Sequence, residues 1–405
     1  MGAARTGQPM DDTSSCAGCG TPLIDGRCDA CDRRREATFV HREILGLAVL
    51  CVLVAAGFVA TRAAATANRA LRRQDAAAFY DTGERALARG QTGSAIRALR
   101  RATAIDRDNR TYRLALAAGL AADHQDDAAR QVLLGVREAS PEDPEVNVRL
   151  ARLEARRGDV TGAVRYYQHA VYGSWNGDQS AARREVRIEL IRYLLARQQR
   201  GRALSELLVL AGDQPDTVTH QIEEGQLLLE AGAAARALER FRQALRVEPA
   251  NATALEGAGT AAFTVGDYAA ARRYLRAVQP ASAQVTELLA VAGLVLTRDP
   301  LRPRLSLRQR HERVVAGFTR ALAALEECAN RQPAHSGEFA SLRSEARALE
   351  PELGLDQVRR APESIDAGVS LIYRIEQTAA DLCGLGSAFD RALLLIGRRY
   401  ESDRP

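Results

Sequence analysis

Small apolar residues recur along this chain at a fixed interval, and a larger apolar residue follows each of them one helical turn later. Ala95, Ala129 and Ala163 are spaced by 34 residues, as are Ala203, Ala237 and Ala271. The two trios stand 40 residues apart, and the extra six match the turn-forming stretch Gly173-Ser-Trp175-Asn-Gly-Asp178. Twelve residues before each alanine come Gly83, Ala117, Ala151, Ile191, Gly225 and Gly259. Four after each come Leu99, Leu133, Tyr167, Leu207, Phe241 and Leu275. Gly90, Gly158, Gly232 and Gly266 occupy turn positions, and Pro141, Pro215 and Pro249 close three of the units. This pattern predicts a two-helix unit. Small residues sit where the paired helices cross, because larger ones would hold them apart. The large residue one turn on lies on the same face and fills the core.

The unit resembles the tetratricopeptide repeat. The fullest copies are Val218 to Asn251, with Gly225, Gly232, Ala237, Phe241, Ala244 and Pro249, and Ala252 to Val285, with Gly259, Gly266-Asp-Tyr268, Ala271 and Leu275. Ile191 departs from the family's small residue, so the repeat from Arg184 to Thr217 is expected to cross less closely. The resemblance implies an all-α helical-repeat solenoid, six repeats over 76–285 stacked as a right-handed superhelix. It implies that the first helices line a concave groove holding an extended or helical segment of another protein. Carried over repeat by repeat, Tyr80, Glu84, Arg149, Arg152, Arg156, Arg192, Gln226 and Phe263 fall on that face. Arg149, Arg152 and Arg156 share a helical stripe that could accept a carboxylate or simply be solvated. Trp175, in the inserted loop, is either an anchor for a partner or a plug against the next repeat.

Ahead of the repeats the periodicity disappears. Ile44 to Thr61 carries no charge over 18 residues, roughly 27 Å as a helix. Arg62 can snorkel and Ala63 to Ala67 extend the run, which predicts a transmembrane helix over 44–67. Arg27, Arg33, Arg34, Arg35 and Arg42 precede it, and Arg62, Arg69, Arg72 and Arg73 follow. Five against four favours a cytoplasmic N-terminus, with 33–43 as a basic juxtamembrane linker.

Cysteine spacing supplies the candidate chemistry. Cys16, Cys19, Cys28 and Cys31 form C-x2-C, eight residues, C-x2-C. Two tight turns of this kind bring four thiolates into a tetrahedron, the arrangement of a closed structural zinc site. Cys16-Ala-Gly-Cys19-Gly20-Thr-Pro-Leu23 resembles the first knuckle of a bacterial zinc ribbon, spanning 16–32 after a flexible N-terminus at 1–15. The second knuckle, Cys28-Asp-Ala-Cys31-Asp32, lacks the family's glycine. A closed site leaves no open coordination position, so zinc here would be structural. The alternative, a pair of redox C-x-x-C motifs, would need a larger fold around it. A thiolate site is safest in a reducing compartment, which also places the N-terminus inside.

Beyond residue 285 the repeat fades but helical patterning continues, predicting a divergent helical region over 286–405. Thr286 to Thr297 and Ser306 to Ala329 read as helices, Pro333, Pro351 and Pro362 mark loops, and two helices follow from Glu363 to Leu382 and Ser387 to Tyr400. Cys328 and Cys383 each end a predicted helix. In a periplasm they could be bonded; in a cytoplasm they would be two buried thiols. Cys51 lies in the apolar run and is expected to be inert.

Composition narrows the function. All 56 basic residues are arginine, a bias that a high-GC bacterial genome accounts for, and the net charge of +5 is too diffuse for nucleic-acid binding. Six scattered histidines form no catalytic set. There is no phosphate loop, since there is no lysine, and neither H-E-x-x-H nor G-x-S-x-G occurs. The expected protein is therefore a non-enzymatic, single-pass inner-membrane scaffold with its repeats in a periplasm, binding protein or peptide partners and no small-molecule substrate. Two alternatives stay open. One is an accessory factor presenting substrate proteins in an envelope maturation pathway such as cytochrome c biogenesis. The other is a signalling protein whose cytoplasmic zinc ribbon docks a partner.

Overall fold

A computed structural model describes residues 15–175, 179–212 and 216–402, with the side chains of 36–41 left aside. Residues 1–14 of the expected flexible N-terminus, residues 176–178 of the inserted loop, and Pro215 lie outside the described residues. The described residues are predominantly α-helical, and their only β structure is two isolated bridges, Ser15–Pro22 and Ile24–Arg27. The chain divides into two compact units, Met1–Pro141 and Glu142–Pro405.

In the first unit, α1 (Asp29–Ala88) is a single helix of 60 residues, about 90 Å long at the standard rise. It runs without interruption from the second cysteine knuckle, through the apolar run, into the first repeat. The expected linker at 33–43 and the expected membrane segment at 44–67 are therefore stretches of one helix with no break between them. Its Arg42–Ala88 portion is long and apolar enough to cross a membrane, and an 18-residue apolar window within it is wholly unburied, whereas Ala76 and Ala86 nearer its end are buried. The end of α1 pairs with α2 (Thr92–Ile105), and α3 (Arg110–Ala122) pairs with α4 (Asp126–Ala139).

The second unit opens with four more hairpins: α5 (Pro144–Arg157) with α6 (Val160–Val171), α7 (Ser180–Ala196) with α8 (Arg200–Leu210), α9 (Val218–Glu230) with α10 (Ala234–Val247), and α11 (Ala252–Thr264) with α12 (Tyr268–Arg276). The small residues do what the spacing requires. A Cβ at Gly225 would lie 2.7 Å from Phe241 Cζ, and one at Gly83 2.5 Å from Leu99 Cγ. Phe241 is fully buried, and its ring also fills the space beside Gly257. At the departing repeat, Ile191 and Leu207 are both buried.

Turn chemistry is more uniform than the glycines suggest. Gly90, Gly158, Gly232 and Gly266 are left-handed, with φ between 71° and 83°. His124 and Gln198 hold the same register in the two glycine-less repeats and are also left-handed, at φ 57° and 58°. Trp175 is half-buried and donates from Nε1 to the Ala170 carbonyl at 3.0 Å, folding back on the end of α6.

A further helix, α13 (Ala283–Arg298), continues the register of the first helices. Beyond it α14 (Leu307–Arg331), α15 (Ser336–Leu349), α16 (Leu355–Arg360), α17 (Ser364–Cys383) and α18 (Ala388–Ser402) form a bundle with its own core. Ser306 caps α14 with a capping box, its hydroxyl accepting from Gln309 N–H while Gln309 returns to the Ser306 N–H. The segment marked by Pro333 and Pro351 is not simply loop, because α15 and α16 lie between Pro333 and Pro362 and bury Phe339, Leu342, Ala346 and Val358.

Candidate functional site

The four N-terminal sulfurs converge. Cys16 sits in a turn closed by Gly20 N–H to Cys16 carbonyl at 2.9 Å, with Gly20 left-handed at φ 72°. The second knuckle needs no glycine because it is the first turn of α1: Cys28 is the N-cap residue, and its carbonyl accepts from Cys31 and Asp32 at 3.1 and 2.9 Å. All four Sγ atoms lie within 4.8 Å of one another, with Cys16–Cys31, Cys19–Cys28 and Cys19–Cys31 at 3.7, 3.3 and 3.4 Å. A tetrahedral ion with sulfur ligands near 2.3 Å requires edges of about 3.8 Å, so the donor set fits a metal ion. The Thr21 hydroxyl, 2.9 Å from Cys19 and 3.2 Å from Cys28, holds both thiols below their ordinary range, Cys19 at about 6. Hydrogen bonding within the cluster, chiefly with Cys19, pushes Cys31 up to about 12.

The second candidate is the exposed face of the first helices. Arg152 forks onto Glu189 of the next hairpin at 2.8 and 2.7 Å, and Arg192 bonds Glu223 of the hairpin after that at 2.9 Å. These are successive rungs of one register, since 152 and 192 differ by the 40-residue step and 189 and 223 by the 34-residue step. Arg149 is held by Glu145 at 2.7 Å, one turn earlier on α5. Three of the arginines expected on this face are thus engaged by carboxylates of their own chain. A partner's carboxylate at Arg149 or Arg152 would therefore compete with an acidic side chain of this chain. Arg156, Glu84 and Gln226 are exposed. Tyr80 packs on Tyr112 with ring centroids 5.1 Å apart, and Phe263 meets the ring of Tyr268 edge-on at 5.4 Å.

Behind this face runs a buried charge network that no spacing rule announces. Arg184 bonds Glu224 at 2.9 Å, Glu224 also accepts from Arg240, and Arg240 bonds Asp216 at 2.9 Å. Arg187 reaches Glu206 at 3.5 Å. Glu224 is 1% exposed and Arg187 3%, so these ions are desolvated and each depends on its partner.

In the C-terminal bundle, Cys328 and Cys383 are joined by a disulfide between α14 and the end of α17, and Cys328 is fully buried. Cys51 is an exposed free thiol on α1.

Comparison with known proteins places the repeats. The tetratricopeptide-repeat family model matches residues 112–178 and 222–286. Among solved structures, the TPR protein YrrB, described as having an unusual peptide-binding site, is 15% identical over 46% of this chain and 95% of its own, with a TM-score of 0.36. The C-terminal part of a TPR protein from Cytophaga hutchinsonii is 13% identical over 75% of this chain and 99% of its own, at TM-score 0.40. A tetratricopeptide-repeat protein from Parabacteroides merdae is 11% identical over 80% of this chain and 99% of its own, at TM-score 0.36. No curated protein matches the chain. The fold class is all-α, of the tetratricopeptide-repeat solenoid type.

Proposed function

We propose that this chain of tetratricopeptide repeats is a membrane-anchored, non-catalytic scaffold that binds protein partners along the exposed face of its first helices. The observation that carries the reading is the continuity of α1. One helix joins a metal-binding cysteine cluster, an apolar stretch of membrane-spanning length and the first repeat hairpin. The first repeat hairpin is thus built directly onto the helix that would anchor the chain.

Zinc is the ion we assign to Cys16, Cys19, Cys28 and Cys31. Four thiolates favour it, and a closed site gives it a folding role for a segment with almost no core. We place the cluster in the cytoplasm of a bacterial cell and the repeats in the periplasm. Free cysteines before the apolar run and the Cys328–Cys383 disulfide after it in the sequence support opposite redox environments. The thiol-handling version of an accessory factor would have to exchange through the half-buried Cys383, because Cys328 is fully buried.

The test is site-specific photo-crosslinking in intact cells. A crosslinker at Gln226, exposed on α9, is expected to capture partner proteins that one at Glu239, exposed on α10, does not. Equal capture from both positions, or from neither, would remove the groove as the binding surface.

A further inference from the structure

The two flanks of the apolar run on α1 differ in charge. Between Asp25 and Glu43, ahead of the run, five arginines are matched by five carboxylates. Behind it stand Arg62, Arg69, Arg72 and Arg73, and no Asp or Glu occurs from Ile44 to Gln74. These four arginines belong to the same unbroken helix as the run. At about 100° per residue they fall within an arc of about 100°, on one face of that helix. Leu71 stands opposite Arg62, and Asp75, the first carboxylate after the run, lies off the arc.

Nothing in the chain engages this stripe. Residues 61–75 are all exposed, and α1 begins to pack only at Ala76, which is fully buried. Among the described residues, none of the four guanidinium groups has a hydrogen bond, an ion pair or a ring contact. Elsewhere the chain holds its arginines with its own acids, as at Arg149, Arg152, Arg192 and Arg240.

The stripe sits where the membrane reading puts lipid headgroups. The apolar stretch ends at Ala67, so Arg69, Arg72 and Arg73 stand within roughly 9 Å of its end along the helix axis. Headgroups occupy about 5–7 Å on each side of the bilayer core. A helical Cα–Cβ bond tilts toward the helix N-terminus. On this part of α1 that direction points back toward the membrane, so the long arginine stems lean into the headgroup layer, and Arg62 snorkels to it from the alanine extension.

We infer that this arginine stripe binds the phosphodiester groups of anionic phospholipids in the leaflet from which the repeats emerge. A planar guanidinium fork matches phosphate oxygens. A zwitterionic headgroup brings its own cation and leaves the stripe uncompensated, whereas an anionic one neutralises it. The inference rests on the membrane reading of α1 and adds the class of lipid held beside the first hairpin.

The experiment uses the full chain reconstituted into phosphatidylcholine vesicles. The vesicles carry a trace of photoreactive phosphatidylglycerol or, in parallel, of phosphatidylcholine with the same photoreactive acyl chain. Phosphatidylglycerol is expected to label the chain at least fivefold more, the ratio that one arginine contact of about 1 kcal/mol supplies. R69Q/R72Q/R73Q is expected to abolish that preference, while R33Q/R34Q/R42Q, on the other flank, keeps it. Equal labelling by the two lipids, a preference that survives R69Q/R72Q/R73Q, or one lost in R33Q/R34Q/R42Q overturns the inference. So does displacement by an excess of water-soluble glycerophosphoglycerol, which would make the stripe a site for free phosphodiesters. Alkaline carbonate separates this failure from that of the membrane reading. A chain that resists extraction but shows no lipid preference loses only the lipid contact, whereas a chain that carbonate strips from the vesicles loses both. The same extraction shows whether each variant has inserted as wild type does.

Discussion

Arg152 donates from Nε and Nη2 to the two carboxylate oxygens of Glu189, across 37 residues of sequence, and the Tyr167 hydroxyl donates to the same carboxylate at 2.6 Å. One acidic side chain thereby ties together α5, α6 and α7, so successive hairpins are held by hydrogen bonds as well as by apolar packing. Burial pushes the Glu189 carboxyl up, but the Arg152 and Tyr167 bonds outweigh it and hold it below its usual range.

Glu189→Gln keeps the shape and removes the charge. Arg152 is half-exposed, so the expected cost is only about 1 kcal/mol. Glu189→Ala also strands the buried Tyr167 hydroxyl and is expected to cost about 2–3 kcal/mol. Because the carboxyl is lowered in the fold, its contribution is present above the ordinary carboxylate range and is lost as pH falls through the lowered value. The gap in urea midpoint between wild type and Glu189→Gln should therefore narrow from pH 7 to pH 3.5. A constant gap would mean the charge contributes nothing.

Gln198 and His124 adopt left-handed backbone where neighbouring repeats use glycine. Such a conformation costs a non-glycine residue roughly 1–2 kcal/mol, offset in part by the greater entropy glycine loses on folding. Gln198→Gly is expected to stabilise the second unit by about 0.5–1 kcal/mol, read as a higher urea midpoint. An unchanged or lower midpoint would show that the side chain compensates for its backbone.

These two residues also mark what sequence could and could not show. Gly225 and Phe241 were legible because a helix crossing imposes a size rule at fixed spacing, and the 34-residue period repeats that rule. The cysteines were legible because four ligands need two tight turns. His124 and Gln198 were not, since nothing in a histidine or glutamine announces a positive φ. The pairing of Arg152 with Glu189 was missed for another reason. Which carboxylate an arginine meets depends on how one hairpin is placed on the next, and charges occur at many positions in a chain this rich in arginine. The same holds for Glu224 between Arg184 and Arg240. In the C-terminal bundle no period exists to amplify the signal, so the short helices α15 and α16 were read as loop around their prolines.

The cysteine cluster predicts a definite stoichiometry. The purified full chain is expected to carry one zinc, released by a thiol-modifying reagent and detected with a colorimetric chelator. Cys19→Ser should abolish retention, while the thermal unfolding of the repeats, which share no core with the cluster, should not move. Retention of zinc by Cys19→Ser, or no metal in wild-type protein purified without chelators, would remove the assignment.

Glu376 carries the strongest pH prediction. It is 3% exposed on α17, and its Oε1 has no hydrogen-bond partner. From α14 it is faced by Arg320, Glu327 and Arg331, and from α18 by Asp390 and Arg391. Burial, then the neighbouring Asp390 charge, pushes its carboxyl up to about 8, against the partial relief of Arg320. Arg320 is committed to Asp390 at 2.5 and 2.8 Å, so its charge serves that carboxylate first. Between an ordinary value of 4.5 and about 8 the folded chain keeps a proton on Glu376 that the unfolded chain gives up. Stability from this group is therefore fully present below that window and is lost as pH rises through it. Glu376→Gln is neutral at every pH and should match wild type near pH 4. By pH 8.5 it should exceed wild type by a few kcal/mol, measured as the urea midpoint of the C-terminal bundle. Parallel curves for the two proteins would show that water or a rearranged arginine satisfies the carboxylate in the fold.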